Sequence, residues 1–107
     1  MKEIKGIVAN KGKAVGKVKI IKNSADFKNF KEGEILVAKL TNLSFAAIII
    51  KAAAIITDKG GITSHPAIIA REFGIPCLVG AKNATKILKD GDRIEMDLNK
   101  GIVKILK

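Results

Sequence analysis

The sequence predicts a single mixed α/β domain, and three observations carry that expectation. The 107 residues are 48% hydrophobic, the size and composition of one packed unit. Aliphatic residues alternate with polar ones or glycine near both ends of the chain, at the period of strands. Between them, a continuous apolar run ends in a diglycine loop and leads into a segment with clear helix start and stop signals. A chain of this length typically buries about 60 to 70% of the surface its unfolded form exposes, enough to fold without metals or disulfides. No internal repeat, low-complexity stretch or Ser/Gly/Pro-rich linker divides it, so one domain over 1–107 is expected.

From the N-terminus, Ile4 to Ala9 reads as a strand, Lys11-Gly12-Lys13 as a turn and Ala14 to Ile21 as a second strand, together a hairpin with one wet face. Asn23 to Glu32 is polar, with Phe27 and Phe30 three apart, and reads as a helical turn before Gly33 and the strand Glu34 to Ala38. Ser44 can cap a helix over Phe45 to Ala52, and the apolar run Ala53 to Thr57 suits an interior strand. A second helix runs from about Ser64 to Phe73: Thr63 or Ser64 caps it, Pro66 sits in the first turn where its missing N–H costs least, and Gly74 and Pro76 stop it. Cys77 to Val79 reads as a short buried strand and Asn83 to Leu88 as a short helix. Asp90-Gly91 turns into a hairpin, Arg93 to Leu98 with Ile102 to Leu106, closed by Asn99-Lys100-Gly101.

Composition excludes several classes. Cys77 is the only cysteine, which rules out an internal disulfide framework and any multi-cysteine zinc site and fits a reducing compartment. The longest apolar stretch, Phe45 to Ile56, is interrupted by Lys51 and is short of the roughly 20 residues of a bilayer span. The N-terminus alternates charge with aliphatics and lacks a signal-peptide core, so a soluble, cytoplasmic protein is expected. The formal charge of +10 calls for an anionic ligand or partner. Nucleic acid is the plainest candidate, but 18 of the 20 basic residues are Lys, spread singly, and four Phe with no Trp or Tyr leave little for base stacking.

Chemistry concentrates in Thr57 to His65, where two glycines, two hydroxyls and the only histidine lie between a buried strand and a helix start. Helix N-termini offer unpaired amides and the positive end of the macrodipole, and glycines let the backbone approach a phosphate. The loop has neither a Walker lysine nor the dinucleotide glycine spacing, so it suits one phosphoryl group. A neutral imidazole at its edge is a competent nucleophile toward phosphorus. Once phosphorylated, His65 would carry charge that the loop amides and the Thr63 and Ser64 hydroxyls can stabilise.

Plainer roles fit the same residues. Gly60 and Gly61 can simply make a tight strand-to-helix turn, Thr63 or Ser64 can only cap, and a lone loop histidine is as often a surface residue as a functional one. Arg71, about 240° around the helix from His65, either solvates the exposed face or supports a phosphate. Cys77, inside an apolar strand, suits inert packing. One histidine, one cysteine and scattered carboxylates give no metal-ligand spacing.

Thr57 to Gly80, TDKGGITSHPAIIAREFGIPCLVG, resembles the signature of the phosphohistidine swivelling domain of phosphoenolpyruvate-utilising enzymes, the family of pyruvate phosphate dikinase, phosphoenolpyruvate synthase and enzyme I of the sugar phosphotransferase system. The likeness extends over Gly12, Gly16, Glu34 to Val37, Thr41 and Asp90-Gly91-Asp92. It implies a compact β/β/α fold. It implies further that His65 is the phosphoryl acceptor and that Gly60, Gly61, Thr63 and Ser64 form the phosphate-binding loop. Arg71 is then a supporting residue, and Ser44 lies where a hydroxyl could orient the imidazole. In plant dikinases the threonine matching Thr63 is a regulatory phosphorylation target. Pro66 departs from the family's usual small residue and removes one amide from the loop.

The resemblance implies a stand-alone carrier. An ATP-grasp nucleotide-binding domain and a pyruvate- or phosphoenolpyruvate-binding barrel flank such domains, and 107 residues hold neither, so both are expected on separate partner chains. On this reading the domain binds no cofactor alone, Mg²⁺ and ATP or phosphoenolpyruvate enter through a partner, and turnover as a phosphotransferase needs that partner. The alternative is a non-catalytic regulatory or assembly module with the same fold.

Overall fold

The computed structural model describes residues 4–106. Seven strands and three short helices follow one another as β1 (Ile7–Asn10), β2 (Lys13–Ile21), β3 (Ile35–Ala38), α1 (Ala46–Ile49), β4 (Ala54–Thr57), α2 (His65–Phe73), β5 (Cys77–Val79), α3 (Ala84–Ile87), β6 (Arg93–Asp97) and β7 (Ile102–Leu106). Turns of 3-10 helix over Ser24–Asn29 and Leu43–Phe45 fill two of the connections. The strand order is β1-β5-β4-β3-β2-β6-β7.

Strands β2, β3, β4 and β5 run parallel, with every residue of β3, β4 and β5 buried, as their unbroken aliphatic sequences require. Alternation sends their side chains to opposite faces. Val18, Ile35, Val37, Ala54, Ile56 and Leu78 pack with Ile94, Met96 and Leu98 of the β6 region. Leu36, Ala38, Ile55, Cys77 and Val79 pack with Phe45, Ile48 and Ile49 around α1 and with Ala67 and Ala70 of α2. The two clusters are thus the two sides of one sheet, between a β-hairpin layer and a helical layer, which gives the β/β/α architecture expected.

β2 joins the layers. Its first half, Lys13 to Lys17, pairs antiparallel with β6, and its second half, Val18 to Ile21, pairs parallel with β3. The changeover falls between Lys17 and Val18, just after Gly16, where a Cβ would stand 2.8 Å from the Gly33 carbonyl oxygen.

The expected N-terminal hairpin does not form. β1 pairs antiparallel with β5, Ile7 opposite Val79 and Val8 opposite Leu78, although only Lys11 and Gly12 separate it from β2. Two strands joined so briefly can lie four places apart only because the sheet curls. The reason β1 goes elsewhere is tertiary: β5 has an open edge, Gly6 lets the chain approach the Val79 carbonyl oxygen with a virtual Cβ at 2.6 Å, and Asn10 Nδ2 donates to Ile75 O at 2.9 Å.

The first helix is also shorter than expected. Asn42 caps a 3-10 turn over Leu43–Phe45, accepting from Ser44 N at 2.9 Å, and α1 follows with Phe45 rather than Ser44 at its cap position and no side-chain cap bond. The C-terminal hairpin forms over Arg93–Asp97 and Ile102–Leu106, and α2 ends at Gly74 in the left-handed region, φ 69°. Among the described residues, no helix is long and apolar enough to cross a membrane.

Candidate functional site

The loop from Asp58 to Ser64 sits at the carboxyl ends of parallel strands β3, β4 and β5, where open α/β sheets place their ligands. Its base is an extension of the sheet. Asp58 N and Lys59 N donate to Ala38 O and Lys39 O at 3.1 and 2.9 Å, and Thr57 Oγ1 donates to Lys59 O at 2.7 Å. Gly60 then turns at φ 104°, a conformation that disfavours any side chain; a Cβ there would meet Ser64 Oγ at 2.7 Å and Leu40 Cδ1 at 3.3 Å. Gly61 differs: its φ lies outside the left-handed region and a Cβ would meet nothing within 4 Å.

His65 opens α2, with Ser64 as the cap residue in extended conformation. The Ser64 hydroxyl does not cap the helix; it donates to Gly61 O at 2.7 Å, closing the loop on itself. Pro66 in the first turn has no N–H, so, among the described residues, the donors left without a partner at the helix start are the amides of His65 and Ala67. Thr63 is exposed, and His65 is half-buried.

The imidazole is held by a residue other than the one expected. Thr41, 3% exposed, places Oγ1 2.7 Å from His65 Nδ1. Ser44 is exposed and directs its hydroxyl to Asn42 Oδ1 instead. The correction follows from spacing: Thr41 lies three residues beyond β3 and faces inward, whereas Ser44 lies on the outer side of the turn that follows. With Nδ1 engaged, Nε2 is the ring atom left for chemistry.

Two further groups fix the loop. Asp58, 7% exposed, accepts from Thr85 N at 3.0 Å on one carboxylate oxygen and from Thr85 Oγ1 at 2.5 Å on the other, tying the loop to the start of α3. Arg71 supports the loop through backbone: its guanidinium donates to Ile62 O, and Nε donates to Ala9 O at 3.2 Å. Cys77 is buried, its thiol donates to Pro66 O at 3.7 Å, and burial pushes its pKa up to about 12, partly offset by the charge of Arg71. Such a thiol is an inert packing group.

Gly60, Gly61, Thr63, Ser64 and His65 are therefore brought together, Arg71 joins them from outside, and Ser44 does not. Sequence reasoning passed over the role of Asp58, whose position beside the glycines was visible but whose partner lies 27 residues away.

Residues 30–101 match the family model described as PEP-utilising enzyme, mobile domain. The chain is 47% identical over 101 residues to the uncharacterized phosphotransferase YvkC of Bacillus subtilis (strain 168), covering 94% of this chain and 12% of that protein. It is 46% identical over 100 residues to the phosphoenolpyruvate synthase of Pyrococcus furiosus, again 94% and 12%. Among solved structures, the solution structure of an Enzyme I protein superposes with a TM-score of 0.60 at 36% identity, covering 70% of this chain and 31% of that one. The chain thus spans about an eighth of the length of these curated relatives.

Proposed function

Since the chain belongs to the family of mobile domains of PEP-utilising enzymes, we propose that it is a phosphoryl carrier, with His65 accepting the group from a donor on one partner domain and passing it to an acceptor on another. The observation that carries this reading is the 2.7 Å contact between Thr41 Oγ1 and His65 Nδ1. With Thr41 as acceptor, the ring proton stays on Nδ1 and the lone pair on Nε2.

In the forward step that lone pair forms a bond to the donor's phosphorus as the bond from phosphorus to the leaving oxygen breaks, and the electron pair departs with that oxygen. The positive charge gained by the ring is shared through Nδ1–H with Thr41. The charge of the phosphoryl group meets the free amides at the start of α2, including those of His65 and Ala67, and the positive end of the helix dipole. Transfer onward reverses the step at a second site. Because the glycine loop is tied at Asp58, Ser64 and Arg71, the ring is oriented before the donor arrives.

Asp58, the carboxylate within the loop, has both oxygens engaged by Thr85, so the residues around His65 do not suit a divalent cation. The Mg²⁺ that accompanies a nucleotide donor is assigned to a partner, as are ATP-grasp and pyruvate- or phosphoenolpyruvate-binding domains, whether on separate chains or not. Family membership and the intact loop favour this reading over a non-catalytic module.

The test is chemical. Incubation with ATP or phosphoenolpyruvate and a partner carrying the donor site is expected to give an acid-labile, alkali-stable phosphoryl adduct on His65, absent in His65→Ala. An adduct that persists in that variant sinks the assignment.

A further inference from the structure

Beside the glycine loop, and separated from it by Leu40, lies a groove of about 730 Å³. Its floor is Ile21, Phe27 and Phe45, and its rim carries Lys22, Asn23, Lys39, Asn42, Ser44 and Lys86. We propose that this groove is a second anion subsite, built to hold a small phosphate-bearing anion next to the phosphoryl loop.

The first support is the chemistry of the rim. Among the described residues, no carboxylate lines this groove. Two other grooves formed by described residues mix their lysines with acids, Glu95 and Asp97 in one of about 230 Å³, Asp26 and Asp90 in one of about 460 Å³ that adjoins this groove and shares Lys22 and Lys86 with it, so Lys39 is the rim lysine lining this groove and neither of those two. Asp26 approaches Lys22 from the adjoining groove and is held by the amides of Lys22 and Asn23, which keep its carboxyl below the usual range. Lys39 and Lys86 make no ion pair among the described residues, whereas Lys13 and Lys19 pair with Asp97 and Asp90.

The second support is the state of the amides. Asn42 Oδ1 accepts from Ser44 N at 2.9 Å, and Asn23 Oδ1 accepts from Ala25 N at 3.0 Å. A backbone N–H can only donate, so each oxygen is committed and each side chain has its NH₂ left to offer. Ammonium and amide donors, with no acid in the groove's own lining, select an anion, and the volume is in the range of small-ligand sites. Leu40 is the shared wall: it lines the groove and its Cδ1 lies against Gly60. Thr41, the next residue, holds His65.

The groove's use as a subsite for the donor or leaving group rests on the carrier reading above; its binding of an anion does not. Inorganic pyrophosphate titrated into the ¹⁵N-labelled chain is the first probe. Saturable shifts are expected at Lys22 to Ser24, Asn42 to Ser44 and Lys86, with affinity at least tenfold weaker in Lys39→Gln/Lys86→Gln and unchanged in Lys100→Gln/Lys104→Gln on the hairpin layer. Binding should also weaken as salt rises. Shifts spread over every lysine-bearing face, or indifferent to the groove variant, overturn the proposal. Parallel titrations with ATP and phosphoenolpyruvate distinguish the two sources of the phosphate: saturation at the same residues by either supports the site and names its ligand. His65→Ala is expected to bind pyrophosphate normally. If groove binding holds and no His65 adduct forms, the carrier reading alone fails; if the adduct forms and the groove stays empty, only the subsite fails.

Discussion

At the residue scale, the proposed carrier role turns on the pair Thr41 and His65. Thr41→Val keeps the shape of the buried side chain and removes the hydroxyl at Nδ1. Phosphorylation of His65 is expected to slow about tenfold, the scale of one buried hydrogen bond, with Thr41→Ser restoring most of the rate and the melting temperature changing little. A loss of folding equal to the loss of rate would reduce Thr41 to a packing residue. The two loop glycines separate conformation from access. Gly60→Ala puts a side chain at φ 104° against Ser64 and is expected to cost about 1–3 kcal/mol in denaturant unfolding. Gly61→Ala meets no atom within 4 Å and should leave stability within about 0.5 kcal/mol, yet slow phosphorylation if the donor must approach the backbone there.

The elements around the loop are short, so each depends on what ties it down. Helix α3 spans Ala84–Ile87 and has no side-chain cap from Asn83; the carboxylate of Asp58 meets the amide and hydroxyl of Thr85 in its place. Asp58→Ala leaves that buried-side amide without its partner and is expected to lower unfolding free energy by about 1–3 kcal/mol, with hydrogen exchange at Thr85 and Lys86 rising first. Protection unchanged at those amides would refute the clamp. Helix α2 was legible in detail because its signals are local: Pro66 can sit only near a start and Gly74 ends the helix in a conformation natural to glycine. The first helix was misread because Asn42 and Ser44 are both good caps, and only the contacts of Phe45 and Ile48 with the core decide which one begins the turn.

At the scale of the molecule, one edge of the sheet is formed by a strand whose partner the local sequence pattern does not give. β1 binds the edge of β5 through a stretch in which Gly6 has no room for a side chain. Gly6→Ala pushes a methyl group into the Val79 carbonyl oxygen, so β1 is expected to detach, with exchange protection lost at Ile7 to Asn10 and the Arg71 bond to Ala9 O broken, while β6 and β7 stay protected. Uniform loss of protection across all seven strands would show instead that β1 is inseparable from the core. Because Arg71 also holds Ile62 O, this edge strand is mechanically linked to the glycine loop.

The strand periods, the ends of α2, the C-terminal hairpin and the glycine, hydroxyl and histidine loop were all written in contiguous residues, since each depends on backbone preference and on neighbours within a few positions. The partner of β1, the switch of β2 between layers after Lys17, the Thr41 hydroxyl on His65 and the Asp58 tie to Thr85 were not. Those contacts join residues 24 or more positions apart in the two side-chain cases, and which of several equivalent hydroxyls or strand edges is chosen depends on the packing of buried faces in three dimensions.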